Sequence, residues 1–78
     1  MTTQTELTFG QKAVGLTFNP SGDDRVDACK RVLAMAIDQM DDLRGRSTSP
    51  EAKRLASIAI TELQGAQMFA VKALTWKD

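Results

Sequence analysis

Asp38, Asp41 and Asp42 stand within five residues, and Asp38 shares a helical face with Asp41 or Asp42. Carboxylates so spaced could hold a divalent cation. A cation site would need matching acids from a second helix, and the later part of the chain offers the lone Glu62. A solvated acidic face therefore accounts for the cluster better than a metal site. No serine or threonine has an evident base partner, and no glycine-rich phosphate loop is present. The chain has no histidine, which excludes imidazole acid–base chemistry and argues against zinc. The expectation is a binding protein without catalysis, metal or cofactor.

Lys30 follows Val26 by one helical turn and lies near an apolar stripe rather than opposite it. The segment Phe18-Asn19-Pro20 leads into the same helix and could fold back over its first turns. A ring, an amide and an ammonium brought together would suit a nucleotide, with the ring on a base and the cation on a phosphate. The competing reading is a hydrophobic staple at a helix start beside an exposed lysine. Farther on, Arg54, Ser57, Thr61, Gly65, Met68 and Lys72 follow one line at helical spacing, with Gln64 beside it. Plain solvent exposure explains such a line. If assembly covers it, the hydroxyls, amide and cations need partners, and a polar anionic ligand would supply them.

Two long helices must position these groups. The first is expected from about Asp23 to Arg44, opened by Ser21 and Asp24 as a capping box and stopped at Gly45. Val26, Cys29, Leu33, Ile37, Met40 and Leu43 form its apolar stripe, widened by Val32, Met35 and Ala36. Ser49-Pro50-Glu51 opens the second helix with a hydroxyl cap, proline at the first helical position and an acid just inside. This helix should reach about Leu74. Similar lengths and a short loop give an antiparallel helical hairpin over residues 22–78. Residues 1–21 form an N-terminal arm. Gly10, Gly15 and Pro20 argue against a long helix there, leaving an extended strip with Leu7, Phe9, Val14, Leu16 and Phe18, or a short helix at Phe9 to Ala13.

Ala52, Ala56, Ala59, Leu63, Ala66, Ala70 and Ala73 recur at alternating spacings of four and three. The same stretch carries Leu55, Ile58, Ile60, Met68, Phe69, Val71, Leu74 and Trp76 on other faces. A helix apolar nearly all round must be covered on more than one side. A chain of 78 residues has too few elements to do so alone. The fold expected is all-α, with the hairpin and its arm assembling into a homo-oligomeric helical bundle.

Composition narrows the partners. Ten basic and ten acidic residues balance, which removes the broad positive field of a general duplex DNA or RNA binder. Hydrophobic residues make up 42%, so composition does not indicate disorder. The single Cys29 in an apolar register reads as a packed thiol in a reducing cytoplasm. The polar start Met1-Thr2-Thr3-Gln4-Thr5-Glu6 does not read as a signal peptide. The longest apolar run, Val32 to Ile37, is far short of a membrane span, so no membrane association is expected.

The segment from Ile58 to Ala73 resembles the second helix of the phage anti-CBASS cyclic-nucleotide sponges, a family sharing a helical-hairpin domain with Thoeris anti-defence proteins. The residues that carry the resemblance are Ile58, Ala59, Thr61, Leu63, Gln64, Met68, Lys72 and Ala73, with Cys29-Lys30 fitting the first helix. The resemblance covers roughly residues 16 to 75. It implies a non-enzymatic hexamer in the host cytoplasm that sequesters cyclic oligonucleotide messengers and so blocks anti-phage signalling. Phe18 and Lys30 look equivalent to an aromatic residue and a lysine that hold cyclic dinucleotides in the family. The family usually has tyrosine at the first position, so Phe18 keeps stacking without the hydroxyl. A second pocket, for cyclic trinucleotides, has an arginine where this chain has Lys72 and a threonine where it has Val32.

The ligand-binding set expected from sequence is thus Phe18, Asn19, Lys30, Arg54, Thr61, Gln64 and Lys72. The alternative function is a small helical protein-interaction module, an inhibitor or assembly adaptor docking its apolar face. An RNA-binding four-helix dimer is a third reading, disfavoured by the neutral charge.

Overall fold

The computed structural model describes residues 6–78 and holds three helices, with no strand among the described residues. The first part of the arm, Met1 to Thr5 of the polar start, lies outside the described residues.

Helix α1 spans Phe9–Ala13 and realises the short-helix reading of the arm. A capping box opens it: Thr8 accepts from the Gln11 backbone N–H, and the Gln11 side chain accepts from the Thr8 N–H. Gly15, at φ +63°, ends the element in a conformation that favours glycine. The extended strip is not formed, yet Val14 and Leu16 are still buried. Phe9 and Phe18, two other members of the expected strip, remain exposed.

Helix α2 spans Asp24–Arg46. Its N-cap is Asp23, which accepts from the Arg25 N–H at 2.8 Å, and not Ser21 as the capping-box spacing suggests. Ser21 instead accepts from the Asp23 N–H and donates to Asn19, building the turn before the helix. Gly45 is not the stop. It lacks the positive φ of a left-handed cap, and the helix continues to Arg46 with Ser47 closing it.

Helix α3 spans Pro50–Leu74 with Ser49 as N-cap, accepting from the Ala52 N–H, and Pro50 in the first turn. It packs along α2, and α1 packs on α2 as well.

The core joins Val14 and Leu16 of the arm to Ala34 and Ile37 of α2 and Ile60 of α3, with Leu7, Leu33, Met40 and Leu63 packed around them. Ile37 and Val26 are the largest fully buried side chains, each stabilising the fold by roughly 1.5–3 kcal/mol. The expected stripe on α2 is shifted. Lys30 and Ala34 are buried, Cys29 is half-buried, and Leu43, Val32 and Met35 are exposed. On α3 the alanine stripe divides: Ala56 is buried, whereas Ala66 and Ala73 face out.

Gly10 is where α1 meets α2. Its N–H donates to the Asp38 carboxylate at 2.6 Å, and a Cβ there would fall on the Ala34 carbonyl oxygen. Asp41 pairs with Arg44 and Asp42 with Arg46. The acidic cluster therefore serves the fold, one carboxylate anchoring α1 and two bracing the end of α2.

The Cα trace measures 12 Å in its thinnest dimension, about one helix layer. Much of each long helix is consequently bare. Phe69 is 76% exposed, Met35 71%, Val32 66% and Trp76 62%.

Candidate functional site

The turn between α1 and α2 lies over the first half of α2 and the last half of α3. Together they enclose an open pocket of about 350 Å³. The turn contributes Phe18, Asn19, Pro20 and Ser21, α2 contributes Val26 and Lys30, and α3 contributes Gln67, Met68, Val71 and Thr75. Three of the residues expected from sequence, Phe18, Asn19 and Lys30, thus come together.

Lys30 is the centre of this arrangement. The residue is only 4% exposed. Its Nζ donates to the Gly15 carbonyl at 2.9 Å and to the Phe18 carbonyl, so the ammonium ties the turn to α2. The Nζ also lies 5.8 Å from the centroid of the Phe18 ring, within cation–π range. The ion pairs among the described residues join other groups, and none pairs a carboxylate with Lys30. A buried cation solvated by two carbonyls and a ring face, and without a counter-ion there, favours an approaching anion. The exposed-lysine reading does not hold.

Phe18 is 70% exposed and presents an apolar ring at the pocket mouth. Asn19 is committed to the turn: its Nδ2 donates to the Asp23 carbonyl and to Asp27, and its Oδ1 accepts from Ser21. Arg25 closes the neighbouring edge, donating to Asp23 and to the Leu74 carbonyl. These hydrogen bonds hold the Asp23 carboxyl below its ordinary range. Arg31 lies elsewhere, in a separate open depression with Gln11, Asp24 and Asp27.

The polar line on α3 does not form one site. Arg54, Ser57 and Thr61 border a shallow groove with Ile58 and Glu62. Arg54 is already paired with Glu51, Thr61 Oγ1 donates to the Ser57 carbonyl, and Ser57 accepts from Arg44. Gln64 reaches back to the Ala13 carbonyl at 3.5 Å. Lys72 stands over the Trp76 ring at 5.8 Å. Arg54 and Lys72 are eighteen residues apart on α3, about 27 Å along its axis. Within one chain they cannot share a small ligand.

Sequence reasoning missed Gln67, Val71 and Thr75 as pocket walls. Their signal was present in the spacing of four between each, one face of α3, but only the docked turn shows what that face looks onto.

A helical hairpin whose preceding turn is pinned by a buried lysine invites comparison with known families. The family described as "Acb2/Tad1, hairpin domain" matches residues 11–75. The chain belongs to the Acb2/Tad1 hairpin family. The match takes in the last part of α1, the turn, both long helices and every pocket residue described above. Within this Acb2/Tad1 hairpin, Phe18 and Lys30 border one pocket, whereas Lys72 and Val32 lie outside it, both exposed. Comparisons with curated proteins and with solved structures give no significant match. No helix among the described residues is long and apolar enough to cross a membrane.

Proposed function

We propose that this protein is a non-enzymatic sponge that binds cyclic oligonucleotide second messengers in the host cytoplasm and withholds them from anti-phage effectors. The observation that carries this reading is Lys30, a buried ammonium without a carboxylate partner among the described residues, beside an exposed ring in an open pocket. A phosphate meets the remaining N–H of Lys30, and a base stacks on Phe18. Membership of the Acb2/Tad1 hairpin family supports the same assignment.

Binding occurs in a homo-oligomer, a hexamer as the family resemblance implies. The single-layer protomer with Met35, Phe69 and Trp76 bare supports assembly, since so much apolar surface is costly to leave in water. Cyclic dinucleotides are the primary ligands at Phe18 and Lys30. Lys72, with Thr61 and Gln64 brought from facing copies, is the candidate for a second pocket accepting cyclic trinucleotides.

Calorimetry with a panel of cyclic di- and trinucleotides tests the function. Saturable binding is expected, with intact ligand recovered after the protein is denatured. Absence of binding by every member would remove the proposal, and recovery of a linear product would replace sequestration with hydrolysis.

The bare apolar face also suits a second reading, a protein-interaction module. It requires a monomer or dimer in isolation with Phe69 and Trp76 still solvent-accessible, which light scattering and tryptophan quenching distinguish from a closed oligomer.

A further inference from the structure

The Phe18 ring has little packing to hold it. It is 70% exposed, with the Lys30 ammonium 5.8 Å from its centroid. The main chain on either side must therefore set its position. Ahead of the ring, the Phe18 N–H donates to the Gly15 carbonyl at 2.9 Å, and Lys30 holds the Gly15 and Phe18 carbonyls. Behind it comes Asn19, kept extended by the proline that follows. The Asn19 Nδ2 donates to the Asp23 carbonyl at 3.0 Å and to the Asp27 carboxylate at 3.3 Å. Its Oδ1 accepts from Ser21 at 2.6 Å, and its carbonyl accepts from the Gly22 N–H at 3.2 Å. Gly22 closes this turn at φ +67°. Side chain and backbone thus clip the residue after Phe18 to the start of α2. The amide N–H groups of Asn19 are engaged within the chain and are not offered to a ligand.

We infer that Asn19 is a positioning residue, clamped to Asp23 and Asp27 so that the Phe18 ring is held in place before a base arrives, an inference resting on the messenger-binding reading above. Ordering a loose turn costs conformational entropy, and a turn ordered in advance leaves that cost out of binding. Without the clamp, Lys30 tethers Phe18 from one side alone, and the same stacking contact forms at lower net affinity. Asp27 takes part although it lies outside the pocket, in the separate depression with Arg31.

The test is a double-mutant cycle by calorimetry, using the tighter-binding of cyclic di-adenosine and cyclic di-guanosine monophosphate. The proteins are the wild type, Asn19→Ala, Asp27→Ala, Phe18→Ala, and each of the first two substitutions combined with Phe18→Ala, all first checked for unchanged helical circular dichroism. Asn19→Ala is expected to weaken binding about tenfold and Asp27→Ala about threefold, the scale of ordering one residue. In the Phe18→Ala background both losses should vanish. A direct contact from Asn19 to the ligand, or a general loosening of the fold, would instead weaken binding by the same factor with or without the ring. Equal losses in the two backgrounds, or no loss from either substitution, overturn the positioning role while messenger binding stands. If Asn19→Ala loses helix content, Asp27→Ala decides by the same criterion. If the wild type binds neither ligand, both readings fall.

Discussion

At Lys30 a positive charge has been taken out of water and given two backbone carbonyls as its solvent. Lys30→Met removes the charge and leaves the Gly15 and Phe18 carbonyls without a donor. The expected outcome is a loss of about 1–3 kcal/mol in urea denaturation together with loss of cyclic-dinucleotide binding by calorimetry. Phe18→Ala separates the two effects. The ring is exposed, so stability should change little while affinity falls by an amount of order 1–3 kcal/mol, the range for one stacked base. The helical spacing of Lys30 one turn after Val26 made its closeness to the apolar stripe legible in the sequence. Its burial was not, because the carbonyls that permit it come from a turn twelve to fifteen residues away.

The helices owe their positions to a few end contacts. Ser49→Ala removes the acceptor for the Ala52 N–H and should cost about 1 kcal/mol by chemical denaturation. Gly10→Ala is expected to be worse, about 1–3 kcal/mol, because the added methyl lands on the Ala34 carbonyl and pushes α1 off α2. Acid should act at the helix starts. Arg25 lowers the pKa of Asp23 at the head of α2, and Arg54 lowers that of Glu51 at the head of α3. A carboxyl held below its unfolded value stabilises the fold above that value, and the contribution fades as pH falls through the folded one. Fraying of both helix starts, read as falling helical circular dichroism, is therefore expected below about pH 4 and not between pH 6 and 8. Ser49 and Pro50 announced the start of α3 correctly. Ser21 and Gly45 misled for one physical reason: several residues near each end of α2 can cap it, and the surrounding turn chooses among them.

The whole molecule is a thin layer with an apolar side left open. Sedimentation at micromolar concentration is expected to show a discrete oligomer. Phe69→Glu should lower its mass while leaving the protomer helical, since Phe69 makes little use of its own chain's core. Ile37→Ala, by contrast, strikes the centre of the fold and should cost about 2–5 kcal/mol whatever the assembly. The alanine stripe on α3 predicts close helix approach, and Ala56 fulfils it within the chain. Ala66 and Ala73, outward on the same helix, belong to the surface that the proposed assembly covers.

Hydrophobic period, cap residues and a short loop were enough to place two long antiparallel helices, because those signals act within a few residues of one another. The association of Phe18 with Lys30 was also readable, since both lie on one short stretch of chain. What only the tertiary structure decided was which side of α3 faces that stretch, and with it the entry of Gln67, Val71 and Thr75 into the pocket. Those relations join residues far apart in the chain, and they follow from how the turn docks across two helices, a packing choice that local spacing does not encode.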